Sequence, residues 1–222
     1  MSKKLENIWY HYKLRILLIA AFALIFIICG IQLFTRTSYD LFSLYAGSAN
    51  INVSDTGKVT YSGMEKSFRE ISDDPDLEVT IQCFTWVNPS LAEKYRDEGY
   101  YFNLQQNEDA KRNVLTAIAN GKCSILLLDP DLYEECVENG ALAKLSDTLG
   151  YTPDFALDEY GVRLKECDFG RYFAGFKDLP DETVLCLRNS QNGFSLVGKK
   201  TDDEAWEKQV EIFRKMIGFT VK

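Results

Sequence analysis

Apolar residues follow three different rhythms along this chain, and each change of rhythm marks a change of element. Residues 16–33, ILLIAAFALIFIICGIQL, are an apolar run of eighteen whose only strongly polar member is Gln32. With Leu14 and Phe34 the run reaches the ~20 residues that a helix needs to cross ~30 Å of hydrocarbon, so 14–34 is expected to span a membrane. Shorter patterns follow. The segment 41–46, LFSLYA, reads as a buried strand ending at Gly47 before a loop over 48–50. Valines on either side of Asp55, Thr56 and Gly57 predict a small hairpin over 51–60. Ser62 to Glu65 has the form of a capping box, and Met64, Phe68 and Ile71 recur at helical spacing until Asp73, Asp74 and Pro75 end the segment. Residues 77–86, LEVTIQCFTW, begin in alternation and turn aromatic, as a strand entering a core does.

Asn88-Pro89 supplies a cap and a first helical position. Asn107 is expected to cap a helix carrying Ala110, Val114, Ala117 and Ile118, with Gly121 ending it. The run 123–128, CSILLL, is apolar without alternation, the mark of a strand buried on both faces, and Asp129-Pro130 then opens a further helix followed by Gly140. Past Leu149 the period fades, with a hairpin expected about Gly161. Strands are predicted over 183–188 and 194–197, joined by the polar turn 189–193. A second capping box, Thr201 to Glu204, leads a helix bearing Trp206, Val210, Phe213 and Ile217. The order strand, helix, strand, helix, strand implies parallel strands with right-handed crossovers. The expected class is therefore α/β, an open, mostly parallel sheet with flanking helices after one N-terminal transmembrane helix.

Charge orients this arrangement. Lys3, Lys4, Lys13 and Arg15 precede the apolar run, while Arg36 alone lies close behind it and the next base is Lys58. The positive-inside bias assigns 1–13 to the cytoplasm, 14–34 to the membrane, 35–40 to a linker and 41–222 to an extracytoplasmic domain. The localisation expected is the cell membrane, embedded by one helix. A cleaved signal peptide is the rival reading, but its apolar region is usually ~7 to 15 residues and ends in a small-residue motif that 31–34 lack. The net charge of −8 argues against nucleic acid as a partner. Cys83, Cys123, Cys136, Cys167 and Cys186 contain no C-x-x-C pair, and the single histidine, His11, precedes the span, so neither a metal site nor any cofactor is expected. Disulfides among the five stay open, since cysteine in apolar strand-like runs also acts as a small hydrophobe.

The run AIANGKCSILLLDPDLYEECVENGALAKLSD, 117–147, resembles the first lobe of the extracellular solute-binding proteins of bacterial ABC importers. In that lobe a helix ends in glycine, a strand delivers a short acidic turn, and the next helix leads to a connection like Gly140-Ala141-Leu142 and Leu145-Ser146-Asp147. FKDLPDETVLCLR and the AWEKQVEIFRKMI helix look like the closing section of such a lobe. The resemblance implies a periplasmic-binding-protein-like single lobe. It also departs from the family, because the chain is short for a second lobe and carries a spanning anchor in place of a lipid.

In an open α/β sheet, ligands bind beyond the carboxyl ends of the strands. The candidate ligand-binding residues are therefore Tyr45, Ser48, Trp86 and Asp129, with the aromatics available for stacking and Asp129 for a hydroxyl or an amine. The bland alternative makes Trp86 a core aromatic and Asp129 a helix cap. No G-x-S-x-G, Walker loop or G-x-G-x-x-G is present, and 14–222 contains no histidine base, so no catalytic residues are assigned and a non-enzymatic binding or interaction module is expected. Its partner would be a small solute or a membrane or cell-surface protein. A carboxylate-pair hydrolase acting on cell-surface polymers is the alternative from another class, and an accessory or signalling subunit of a membrane complex is a third.

Overall fold

The computed structural model describes residues 14–15, 17–29, 40–49, 61–98, 103–121, 123–190 and 203–221. They belong to two compact units, Met1–Ser38 and Tyr39–Lys222. In the first unit, helix α1 covers 17–29, and its large apolar side chains are exposed, Phe26 to 77%. Among the described residues no helix is long and apolar enough to cross a membrane. Ile16 and 30–34 of the expected span lie outside the described residues, as do the hairpin expected over 51–60 and the strand expected over 194–197.

The second unit is an open mixed α/β sheet of five strands with flanking helices. Its elements are β1 (Leu41–Gly47), α2 (Tyr61–Ser72), β2 (Val79–Thr85), α3 (Pro89–Asp97), α4 (Leu104–Ala119), β3 (Ile125–Leu128), α5 (Pro130–Glu138), α6 (Leu145–Leu149), β4 (Gly161–Arg163), α7 (Asp168–Tyr172), β5 (Val184–Leu187) and α8 (Asp203–Gly218). The strand order is β2-β1-β3-β5-β4. β1 pairs in parallel with β2, Leu41 opposite Val79, and with β3, Ser43 opposite Ile125.

The expected parallel sheet needs one correction. β5 inserts between β3 and β4 and runs antiparallel to both, Leu128 opposite Val184 and Arg163 opposite Val184. The run VLCL is buried on both faces, which fixes a central position, but burial carries no direction. The connection over 164–183 returns the chain so that β5 lies antiparallel beside β4, the strand it has just left. The hairpin expected about Gly161 is present in reduced form, with Ala156 bridged to Val162.

A second correction concerns α4. The helix begins at Leu104, and its cap is Asn103, whose side chain accepts from the N–H groups of Gln105 and Gln106. Asn107 lies inside the helix and is used elsewhere. Its Oδ1 accepts from Val87 N at 2.9 Å and its Nδ2 donates to Val87 O at 2.9 Å. One side chain thereby replaces the sheet partner that Val87 lacks just past the end of β2.

Apolar burial divides into two layers, one on each face of the sheet. On one face α2 delivers Met64, Phe68 and Ile71, and α8 delivers Val210, Phe213 and Ile217 against Leu41, Ile81 and Leu127. Phe169, Phe173 and Phe176 complete this layer from the α7 region, with Phe68 edge-on to Phe176 at 5.3 Å between ring centroids. On the other face Val114 and Ile118 of α4 and Leu132 and Cys136 of α5 cover Leu44, Leu126 and Leu128. The five cysteines of this unit are free thiols, four of them buried. Burial pushes the thiols of Cys123, Cys136 and Cys167 up to about 12, so they act as small hydrophobes and not as nucleophiles.

Candidate functional site

The chain leaves β1 through α2 to reach β2 on one side, then crosses back through α3 and α4 to β3 on the other side. The carboxyl ends of these parallel strands therefore meet at a topological switch point. Two backbone bonds clasp them together. Trp86 N donates to Gly47 O at 2.9 Å, and Asp129 N donates to Ala46 O at 2.8 Å. Gly47 leaves room here for the Tyr45 hydroxyl, which a Cβ at this position would approach to 2.6 Å. That hydroxyl accepts the Ala49 N–H at 2.9 Å and fixes the turn as it leaves β1.

Asn88 and Asp129 cap α3 and α5 in the same manner, each followed by proline at the first helical position. Asn88 Oδ1 accepts from Leu91 N at 2.8 Å, and Asp129 Oδ1 accepts from Asp131 N at 3.1 Å. Asn88 Nδ2 faces Asp129 Oδ2 at 3.5 Å. Asp129 is only 5% exposed. Burial pushes its carboxyl up to about 6, opposed by the Asp131 N–H and the Asn88 amide and reinforced by the negative charges of Asp131 and Glu182.

Of the four residues singled out in the sequence, the switch point brings together Asp129, the backbone of Trp86 and the turn that holds half-buried Ser48. The aromatic rings are placed differently from the stacking role expected of them. Tyr45 is 1% and Trp86 4% exposed, and they pack into opposite layers of the core, so neither presents a ring face to solvent. Strand alternation explains this, since both rings are the size of a core residue and both strands are covered on two faces. Burial also pushes the Tyr45 hydroxyl well above the ordinary phenol range, with Asp129 and Glu182 adding to the effect. Trp86 Nε1 is a buried donor with no hydrogen-bond partner among the described residues.

Two members of the site escaped the sequence reading. Asn88 was legible as a cap but not as the neighbour of Asp129, and Glu182, half-buried just before β5, carries no sequence signal at all. Among the described residues, no group of three or more His, Cys, Asp or Glu side chains is arranged to hold a metal ion. A groove of about 900 Å³ lies away from the switch point between α6, α8 and the end of β5, lined by Lys144, Asp147, Asn189, Trp206 and Arg214. Its cations are already engaged, Lys144 with Glu159 at 2.7 Å and Arg214 with Thr148 O at 2.8 Å. The chemistry available at the switch point is that of a carboxyl titrating close to neutrality beside a neutral carboxamide. Such a pair can accept from an ammonium or hydroxyl and donate to an acceptor. No known protein family, no curated protein and no solved structure matches this chain.

Proposed function

We propose that this chain is a membrane-tethered extracytoplasmic binding module, without catalytic activity, that uses a solute-binding-like single lobe to hold a ligand bearing an amine or hydroxyl at its strand ends. The observation that carries this reading is Asp129, a carboxyl 5% exposed, 3.5 Å from the Asn88 amide and surrounded by negative rather than positive charge. A buried carboxyl is normally paired with a cation or hydrogen-bonded on every lone pair. A ligand amine at Asp129 would supply what the fold leaves out.

Tethering rests on a separate argument. The apolar side chains of α1 are exposed around the whole helix, and a helix apolar all round requires an apolar environment such as a bilayer or partner helices. The positive charges ahead of it support an orientation with the folded unit on the far side of the membrane.

The test is calorimetry and thermal shift on the full-length protein in lipid nanodiscs with amino acids, polyamines, short peptides and sugars. Binding of an amine-bearing ligand that is lost in Asp129→Ala and kept in Ser48→Ala supports the reading. Binding to none of these classes, or binding unchanged in Asp129→Ala, removes it.

A further inference from the structure

A groove that shares no residue with the Asp129 site lies at the edge of the sheet formed by the described strands. β2 is an edge strand, and its residues Gln82 and Phe84, two apart, point to the face covered by α4. From α4 and its cap, Asn113, Thr116, Ala117 and Asn120 are presented at positions i, i+3, i+4 and i+7, a single stripe of the helix. Where a helix covers a strand, this stripe is ordinarily apolar and fills the interface. Here Val114 and Ile118, 0% and 1% exposed, already dock the helix, while the stripe beside them is polar or small and leaves a groove of about 370 Å³.

Three features of the groove point to one ligand chemistry. All six lining residues are uncharged, in a chain where 26% of residues carry charge. Among the described residues, the side-chain carboxamides of Gln82, Asn113 and Asn120 have no hydrogen-bond partner, whereas those of Asn88 and Asn107 and the side-chain oxygen of Asn103 are engaged. The half-buried ring of Phe84 forms an apolar wall. At Asn113, inside α4, a flank that needed only to be wet would be served better by Lys, Glu or Gln, since asparagine is a poorer helix former by several tenths of a kcal/mol in a helix interior. Carboxamides offer a donor pair and an acceptor in one plane, which matches vicinal hydroxyls, and an aromatic ring matches the C–H face of a pyranose.

We infer that the groove between β2 and α4, lined by Gln82, Phe84, Asn113 and Asn120, binds a neutral saccharide, either a free sugar or a unit of a cell-surface polysaccharide. The carboxamides hold the hydroxyls and the Phe84 ring covers the apolar face. The ligand differs from the amine expected at Asp129 in lacking charge, and the two sites use no common residue.

The experiment is saturation-transfer difference NMR on the full-length protein in nanodiscs prepared without glycoside detergents, with D-glucose, maltose, soluble dextran and tri-alanine as probes. Saturation of ring C–H protons of at least one saccharide is expected, with signal from dextran alone marking a polymer as the ligand and signal from glucose marking a free sugar. The Asn113→Ala/Asn120→Ala variant, whose changes are on exposed side chains, should weaken binding about tenfold. Ala117→Phe, which fills the groove and keeps every carboxamide, should abolish it, and Asp129→Ala should leave it intact. Saccharide binding unchanged in both groove variants, binding lost only in Asp129→Ala, or binding of tri-alanine without any saccharide would each overturn the inference.

Discussion

Replacing Asp129 by asparagine isolates the energetic cost of the buried carboxyl. The side chain is 5% exposed, and its carboxyl is raised from 3.8 to about 6 chiefly by burial. A shift of roughly 2 units corresponds to about 3 kcal/mol of differential stabilisation of the protonated form. The sign follows from proton linkage. With the folded pKa above the unfolded one, the native state binds more protons between pH 4 and 6, so stability falls as pH rises through that window and stays lower above it. Asparagine caps a helix as well as aspartate does and can keep the bond from Asp131 N, but it carries no charge to desolvate. Allowing for a loss of about 1–2 kcal/mol with the long Asn88 contact, Asp129→Asn should be more stable than wild type by about 1–2 kcal/mol at pH 7.5 and less stable by about 1 kcal/mol near pH 4. For a unit of this size the gain at pH 7.5 is roughly 2–8 °C in Tm. Urea unfolding of both proteins across this pH range provides the measurement. The difference between them cancels groups such as Asp40 and Asp168, whose carboxyls are lowered by Lys208 and Arg171 and respond to pH in the opposite direction. A difference that stays flat from pH 4 to 7.5 would refute the reasoning, because it would mean that Asp129 is solvated in the native state.

Two further outcomes follow from other buried polar groups. Arg188 is 0% exposed and donates from Nε to Cys123 O at 2.9 Å, from one terminal nitrogen to Asn189 O at 2.8 Å and from the other to Gly121 O at 3.2 Å, so Arg188→Met should leave three carbonyls short of a donor and lower Tm by about 10 °C, with Arg188→Lys recovering half of the loss at most. Asn107→Ala orphans both polar groups of the Val87 backbone and should cost about 2 kcal/mol in urea unfolding, and Asn107→Asp, which keeps an acceptor but sets a carboxylate against Val87 O, should cost no less.

What could be read from the sequence was what depends on near neighbours. The helix with Met64, Phe68 and Ile71 on one side, the doubly buried strand of 125–128 and the two Asx-Pro helix starts all follow from spacing and local capping chemistry, and each stands within two residues of where the pattern put it. The misplaced cap of α4 shows where this stops. Asn103 and Asn107 are the same residue type one helical turn apart, and the choice between them is made by Val87, twenty residues upstream in the chain, which recruits the Asn107 amide. The direction of β5 is likewise non-local. It depends on Phe169 and Phe176 packing against Phe68, with Phe173 against Phe169, and turning the chain back after β4, a contact that no period within 164–183 announces.

The two Asx-Pro helix starts also separate structure from function at the switch point. Asn88 and Asp129 perform one local task, each accepting a backbone N–H in the first turn of a nine-residue helix, Asn88 from Leu91 and Asp129 from Asp131. Capping alone gives no preference between the two side chains. Asn88 does it without charge, whereas Asp129 does it while buried and facing Asp131 and Glu182, at a cost in stability at neutral pH that asparagine would not incur. A residue that is locally interchangeable with one free of this cost, and that sits where parallel strands end, is what supports the ligand proposed at Asp129.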